Sequence, residues 1–291
     1  MKLLHLLPVA LLGLAQAAMA QASVTRLWET PAEFKTPESV LHDAQRKRLY
    51  VSNIDGAPTE ADGKGFISLL GADGKIDKLE WVTGLNAPKG MALVGDRLYV
   101  SDITELVEID AGSGAVRKRY PAAGAVFLND VAADEAGNVY VSDMITNRIH
   151  RLHDGRFEVW LESAALTNPN GLAVVGDTLY VGSWGVMDKG FATTVPGRVK
   201  TVSLGDKRLA DFAGERPVGN LDGIEVLADG RVLATDWMAG GLMLVSPDGS
   251  VKMLDKLAQG SADIGYAAAE RLVFVPMMND GKVIAFRLGL E

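Results

Sequence analysis

A short β-rich run recurs six times along this 291-residue chain, and the recurrence constrains the fold more than any other feature. Each copy is rich in β-branched, aliphatic and aromatic residues and follows a turn signal, which predicts one strand per repeat. The copies align on Tyr50, Tyr99, Tyr140, Tyr180, Leu233 and Phe274. Successive aligned residues are separated by 49, 41, 40, 53 and 41 positions.

Further apolar segments flank these runs and predict additional strands. One strand precedes each run, and a third strand and a more polar fourth strand follow. Four strands at a period just over 40 residues are typical of a β-propeller. We expect the isolated strand at 23–30 to complete the last blade, so that the chain ends pair and leave no open sheet edge. The sequence therefore predicts an all-β, six-bladed β-propeller with four antiparallel strands per blade, closed by pairing of its N- and C-terminal strands.

The first twenty residues have the pattern of a secretory signal peptide. Lys2 precedes an apolar run, and Ala18 and Ala20 supply small residues before the expected cleavage site. The apolar run is about 12 residues long, whereas a membrane-spanning helix needs about 20. We therefore expect a signal peptide at 1–20, a single propeller domain at 21–291, export to the periplasm and no membrane anchor after cleavage.

Composition excludes several kinds of site and partner. The chain contains no Cys, which excludes disulfides, thiolate zinc sites and iron–sulfur clusters. Its formal net charge is −8, which argues against a nucleic-acid partner and favours a small-molecule substrate or ligand, or a cation.

Polar residues recur at the start of the predicted inner strands, which line the central channel of a propeller. This ring comprises Glu38, Lys89, Asn129, Asn170, Asp222 and Asp263. A single Asn or Asp at such a position often bonds nearby backbone only. However, the three carboxylates belong to consecutive blades and repel one another unless a cation lies between them. Carboxylate and amide oxygens suit Ca²⁺ or Mg²⁺.

The two longest repeats carry their extra residues in loops after the second strand, at 53–65 and 184–197. Because these loops belong to opposite blades, they could cover the channel mouth as lids, or they could be ordinary surface insertions. The residues directly after the second strands should form an apolar rim, with Trp184 and Trp237 contacting a ligand. The predicted rim comprises Ile54, Ile103, Met144, Trp184, Trp237 and Met277. The polar residues that precede most of these, Asn53, Asp102, Asp143 and Asp236, should cap turns.

Four motifs at the ring resemble those of the senescence-marker-protein/gluconolactonase family, also called the regucalcin family, of six-bladed propellers. They are PESVLHD, LNDVAADEAGNVYVSDM, NPNGLAVVGDTLYV and LDGIEVLADGRVLATD. The resemblance covers essentially the whole chain after residue 20. It implies that Glu38, Asn170 and Asp222 bind a metal ion and that Asn129 contacts the substrate or is a further metal ligand. It also implies that Asp222 acts as general base or nucleophile.

Together these features predict a periplasmic hydrolase of lactones or related esters that depends on Ca²⁺, or on another divalent cation. Lys89, Asn129, Trp184 and Trp237 would bind substrate, and Asp263 would lie behind the metal ligands. The alternative is a non-catalytic propeller, similar to NHL repeats, that binds a small ligand or a protein partner. Lys89 favours this alternative, because a Lys89–Glu38 ion pair would hold the ring together without a metal.

Overall fold

The computed structural model describes residues 22–290. The predicted signal peptide lies outside these residues, so cleavage and export stay predictions. Within the described range the one helix is a single 3₁₀ turn, Ala164–Leu166, capped by Ser163. No helix in that range is long and apolar enough to cross a membrane.

Six four-stranded antiparallel sheets make up the blades of residues 22–290. Strand β1 (Ala22–Glu29) precedes blade 1. Blade 1 contains β2 (Pro37–Asp43), β3 (Arg48–Asn53), β4 (Gly65–Gly71) and β5 (Ile76–Leu85). Blade 2 contains β6 (Pro88–Val94), β7 (Arg97–Asp102), β8 (Glu105–Asp110) and β9 (Val116–Pro121). Blade 3 contains β10 (Leu128–Ala133), β11 (Val139–Asp143), β12 (Arg148–His153) and β13 (Arg156–Glu162).

The second half of the chain repeats this plan with one addition. Blade 4 contains β14 (Pro169–Val175) and β15 (Thr178–Ser183), an inserted hairpin of β16 (Gly185–Met187) and β17 (Thr193–Pro196), then β18 (Val199–Ser203) and β19 (Leu209–Asp211). Blade 5 contains β20 (Leu221–Val226), β21 (Val232–Asp236), β22 (Gly241–Val245) and β23 (Val251–Asp255). Blade 6 contains β24 (Gly265–Ala267), β25 (Leu272–Met277) and β26 (Lys282–Leu290). The predicted six-bladed propeller is confirmed.

The two ends of the chain close the ring. Strand β1 pairs antiparallel with β26 and forms the outer strand of blade 6, with a register shift between Arg26 and Trp28. This confirms the predicted closure. Because the last blade is completed by the first strand, β26 presents no unpaired edge to solvent.

The hydrophobic core lies between the blades. Tyr50 of blade 1 packs with Leu98 of blade 2, and Tyr140 of blade 3 packs with Leu179 of blade 4. Four further clusters of buried residues join the remaining pairs of neighbouring blades. Each sheet thus buries both of its faces only if it has a neighbour on each side.

Phe286 provides a test of how much closure contributes to stability. Its side chain on β26 is fully buried in the cluster between blades 5 and 6. We expect Phe286→Ala to lower the free energy of unfolding by about 3–5 kcal/mol, because it removes buried apolar contacts and leaves a cavity. The matched control is Leu27→Ala on the partner strand β1, where the side chain is 42% exposed and the change should stay within about 0.5 kcal/mol. Urea denaturation measures both, and equal effects would contradict the prediction.

Candidate functional site

Five of the six predicted ring residues meet at one cavity. Strands β2, β6, β10, β14 and β20 each begin one residue before the ring residue, which directs its side chain into the channel. The cavity measures about 270 Å³. Its polar lining consists of Glu38, Lys89, Asn129, Asn170 and Asp222, none more than 5% exposed.

Buried hydroxyls hold the ring residues in register between blades. Ser142 Oγ accepts a hydrogen bond from the Asp130 amide at 2.9 Å and donates to the Asn170 carbonyl of the next blade at 2.8 Å. Ser101 likewise donates to the Asn129 carbonyl. Because these hydroxyls bond the backbone of the inner strands, they help to fix the ring side chains relative to one another.

The prediction of Asp263 as the ring residue of blade 6 is wrong by one position. Ser261 forms an isolated bridge with Met277, as the first residue of β2 pairs with the last residue of β3 in blade 1. The residue after Ser261 is Ala262, and it therefore takes the position that Glu38 has in blade 1. The ring contains two carboxylates rather than three.

The inter-blade hydroxyl bond independently marks Ala262 as the ring residue. Thr235 Oγ1 donates to the Ala262 carbonyl at 2.9 Å. Ala262 precedes Phe274 by 12 positions, as Glu38 precedes Tyr50, whereas the other ring residues precede their aligned residues by 10 or 11. The hairpins of blades 1 and 6 contain at least one additional residue, and spacing alone does not show where it is inserted.

Asp263 lies one residue further into the channel, facing a larger cavity of about 740 Å³ at the other end. Its Oδ2 accepts a hydrogen bond from Ser39 Oγ at 2.6 Å, and its carboxyl shares a hydrogen bond with Asp130 of the opposite blade. Burial raises the pKa of Asp263 to about 7. Burial, and then repulsion by Asp263, also raise the pKa of Asp130. The Asp263 amide donates to the Glu38 carbonyl of the ring at 2.9 Å. A role for Asp263 behind the site stays a prediction.

Three oxygens of the ring are buried and have no hydrogen-bond partner in the described chain: Glu38 Oε2, Asn170 Oδ1 and Asp222 Oδ1. An unpaired buried polar atom costs about 1–3 kcal/mol, and more when it carries charge. Burial is the main reason that the pKa values of Glu38 and Asp222 lie well above their usual range, and repulsion by nearby carboxylates adds to it.

These oxygens fit a hard divalent cation, which prefers carboxylate and carbonyl oxygens. Within residues 22–290 no group of three or more His, Asp and Glu side chains is placed to hold a metal ion. A cation here would therefore need the Asn170 amide as well as Glu38 and Asp222. The predicted ligands are brought together, and their metal-binding role stays a prediction.

Lys89 does not form an ion pair with Glu38. Its Nζ donates to the carbonyls of Pro58 at 3.0 Å and Ala87 at 2.9 Å, and it lies 4.6 Å from the centre of the Phe127 ring. Burial lowers the pKa of Lys89 to about 8, and attraction to Glu38 partly offsets that effect. The ammonium is thus directed toward the loop carrying Pro58, and Glu38 Oε2 is left without a partner.

Both long loops reach the cavity. Pro58 of the 53–65 loop and Phe191 of the 184–197 loop line it. Trp184 Nε1 donates to the Phe191 carbonyl at 2.8 Å, which fixes the β16–β17 hairpin over the mouth. Asn220 anchors the base of this hairpin by donating to the Trp184 carbonyl at 2.8 Å.

The apolar rim is largely where the sequence predicts it. Ile54, Met144, Trp184 and Trp237 line the cavity, but Ile103 and Met277 do not. Met278 takes the place predicted for Met277, because Met277 is the last residue of β25 and its side chain packs between blades 5 and 6. Sequence reasoning missed Phe127, although it lies directly before the apolar residue that begins β10 and so belongs to a recurring position.

The polar residues at the ends of the second strands cap turns, as predicted. Asp102 accepts from the Ala87 amide at 2.7 Å, and Asp143 accepts from the Phe127 amide at 3.1 Å. These bonds fix the segments that lead into the inner strands of blades 2 and 3. Asn53 accepts from the Lys35 amide in the same way, whereas Asp236 accepts from the Ala239 amide within the turn that follows its own strand.

Solved structures share this fold at low sequence identity. A putative gluconolactonase superposes with a TM-score of 0.69 at 16% identity, covering 93% of each chain. A gluconolactonase from Xanthomonas campestris gives 0.58 at 17% identity, covering 91% of this chain and 99% of that one. A catalytically inactive virginiamycin B lyase from Staphylococcus aureus, with quinupristin, gives 0.60 at 12% identity, covering 92% and 99%.

No protein-family model and no curated protein matches the chain. At these identities the structural likeness shows the propeller fold alone. The similar structures include both gluconolactonases and a lyase, so the activity has to be argued from the site of this chain.

Ser142 allows a test of the inter-blade hydroxyl bonds. We expect Ser142→Ala to lower the free energy of unfolding by about 1–3 kcal/mol, because the Asp130 amide and the Asn170 carbonyl lose a buried partner. Ser23→Ala on the exposed face of β1 is the control and should change stability by less than about 0.5 kcal/mol. Equal urea midpoints for the two variants would contradict the assigned role.

The raised pKa of Asp263 predicts a pH-dependent stability of the cation-free protein. A carboxyl with a higher pKa in the folded state favours folding least when it is ionised, so stability is retained below the unfolded pKa, near 4. It is lost as pH rises toward the folded value of about 7. With any cation removed by a chelator, the free energy of unfolding should fall as pH rises from about 4 to about 7. We expect Asp263→Asn to reduce the slope of that fall by up to about 1.4 kcal/mol per pH unit. The exposed Asp188→Asn should leave the slope unchanged, and an unaltered slope in Asp263→Asn would contradict the assignment.

Proposed function

We propose that this protein is an exported hydrolase of lactones or related esters that uses Ca²⁺ or another divalent cation. The observation that carries the proposal is the set of unpartnered oxygens of Glu38, Asn170 and Asp222 at the floor of one cavity. The gluconolactonases among the similar structures support the substrate class. The N-terminal sequence pattern supports export to the periplasm.

Glu38, Asn170 and Asp222 would hold the ion. Polarisation of the substrate carbonyl is the chemistry that such an ion supplies when it is bound. Lys89 uses two of its three N–H groups on the carbonyls of Pro58 and Ala87, which leaves one for the substrate. Asn129 lines the same cavity and would orient the substrate.

Asp222 performs the proton transfer in this proposal. Its carboxylate lies buried at the floor of the cavity, where it can accept a proton from the attacking water. Water adds to the carbonyl carbon as Asp222 accepts its proton, the ring C–O bond breaks, and the proton passes to the leaving alkoxide. Lactone and water thus give a hydroxy acid. In the alternative route Asp222 itself attacks the carbonyl carbon, and the ring C–O bond breaks to give an anhydride and an alkoxide. Water then hydrolyses the anhydride, its proton passes to the alkoxide, and Asp222 is regenerated as a carboxylate.

Two variants separate cation binding from proton transfer. With saturating Ca²⁺, we expect Asp222→Asn to lower kcat by at least about a hundredfold, the usual contribution of a general base. Glu38→Gln should instead raise the Ca²⁺ concentration needed for half-maximal activity. Asp248→Asn, in an exposed turn, is the control for both. Hydrolysis by Asp222→Asn at the wild-type rate would contradict the proposal.

Thermal unfolding tests the cation site without a substrate. An ion bound only by the folded state stabilises it by about 2.7 kcal/mol at one hundred times its Kd. We therefore expect millimolar Ca²⁺ to raise the Tm of wild-type protein and to have a smaller effect on Glu38→Gln. No rise, together with no hydrolysis, would favour a non-catalytic propeller that binds a small ligand or a protein.

A further inference from the structure

The wall above the polar floor of the cavity is made almost entirely of carbon and sulfur. Four aromatic and two sulfur-containing side chains from blades 3 to 6 and the blade 4 hairpin line it: Phe127, Met144, Trp184, Phe191, Trp237 and Met278. The ring centroid of Trp184 lies 6.0 Å from that of Trp237 and 6.2 Å from that of Phe191. The wall is therefore a continuous aromatic surface.

The polar atoms of this wall already have partners. Trp184 Nε1 donates to the Phe191 carbonyl at 2.8 Å, and Trp237 Nε1 lies 3.0 Å from Met278 Sδ. Neither indole N–H is left to bind a ligand. The cavity groups that remain free to bind a ligand are the floor oxygens of Glu38, Asn170 and Asp222 and one N–H of Lys89.

This division sets two requirements on a ligand. Its polar group has to lie at the floor, and the remainder of the molecule has to contact aromatic rings and thioethers. A hydroxyl on that remainder would lose its bonds to water and find no partner in the wall, which is unfavourable. An apolar group would gain from leaving water.

The size of the cavity sets a third requirement. Its volume of about 270 Å³ lies just below the roughly 300–1,000 Å³ of pockets that hold drug-sized ligands. The ligand is therefore small, with one ring or a short chain attached to the reacting group.

We infer that the substrate is a small lactone or ester whose carbonyl is its main polar group and whose body is an alkyl or aryl group, rather than a polyhydroxylated sugar lactone. This inference rests on the proposed hydrolase function and names its substrate class. The carbonyl lies at the floor beside Asp222, and the apolar body lies against Trp184, Trp237 and Phe191.

A matched series of δ-lactones tests the inference with the full-length mature protein and Ca²⁺. The series is δ-valerolactone, δ-hexalactone and δ-octalactone, with δ-gluconolactone as the hydroxylated member of the same ring size. We expect kcat/KM to rise roughly fourfold per added methylene until the cavity is filled. The value for δ-gluconolactone should lie at least a hundredfold below that for δ-octalactone. Faster hydrolysis of δ-gluconolactone would overturn the inference and leave the proposed function standing.

Phe191 offers a variant that changes the wall without disturbing the core. Its side chain is 41% exposed and contacts Phe127 and Trp184 by ring packing, while its carbonyl still accepts from Trp184 after substitution. We expect Phe191→Ser to lower kcat/KM for δ-octalactone about tenfold and to lower kcat/KM for δ-valerolactone by a smaller factor. Val195→Ser is the control, because Val195 lies on the same hairpin, is 43% exposed and does not line the cavity. An equal loss of kcat/KM for δ-octalactone and δ-valerolactone in Phe191→Ser would overturn the inference that this wall binds the apolar part of the substrate.

Binding separates failure of this inference from failure of the proposed function. If no lactone is hydrolysed, the hydrolase proposal fails, and quenching of tryptophan fluorescence by δ-valerolactam and its 6-propyl derivative then tests the ligand class. At least tenfold tighter binding of the propyl derivative, weakened in Phe191→Ser but not in Val195→Ser, supports an apolar carbonyl ligand. Equal binding of the two lactams, or no binding of either, would overturn the inference.

Discussion

The structure depends on the closure of six sheets around one axis. A blade has two apolar faces and can bury both only between two neighbours, so the hydrophobic cores of this protein lie between blades rather than within them. The pairing of β1 with β26 supplies the last neighbour. Once the ring is closed, the first residues of the inner strands have to meet at the axis. Glu38 and Met278, which are 240 positions apart in the chain, thereby share one cavity.

Holding unpartnered polar side chains together in a buried cavity costs free energy, and hydrogen bonds in the surrounding structure offset that cost. Ser142 and Thr235 bond the inner strands of neighbouring blades, and Asp102 and Asp143 fix the segments that lead into them. These bonds hold the backbone of the ring rigidly while Glu38 Oε2 and Asp222 Oδ1 stay unpartnered. The ring residues cannot move apart without breaking the sheets. The fixed backbone therefore keeps their side chains in unfavourable contact with one another.

Much of the fold and site follows from local sequence. Repeated strand patterns predict the six blades, and the isolated strand at 23–30 predicts the closure. The same repeat places Glu38, Asn129, Asn170 and Asp222 at one end of the channel. Two of the errors are of one kind: Asp263 and Met277 are each one residue away from Ala262 and Met278, which take the predicted positions. In a β-strand a shift of one residue reverses the side to which a side chain points, and variable hairpin lengths conceal such a shift.

The sequence by itself determined the number of blades, their order, the closing strand and the residue types that reach the axis. These properties depend on the alternation and spacing of residues along the chain. Only the tertiary structure decided how those residues interact: that Lys89 bonds the 53–65 loop instead of Glu38, that Asp263 faces the opposite cavity, and that Phe191 reaches over the mouth. Such contacts join residues from different blades or from inserted loops. Their geometry is set by the closed ring and by loop packing, neither of which leaves a periodic signal in the sequence.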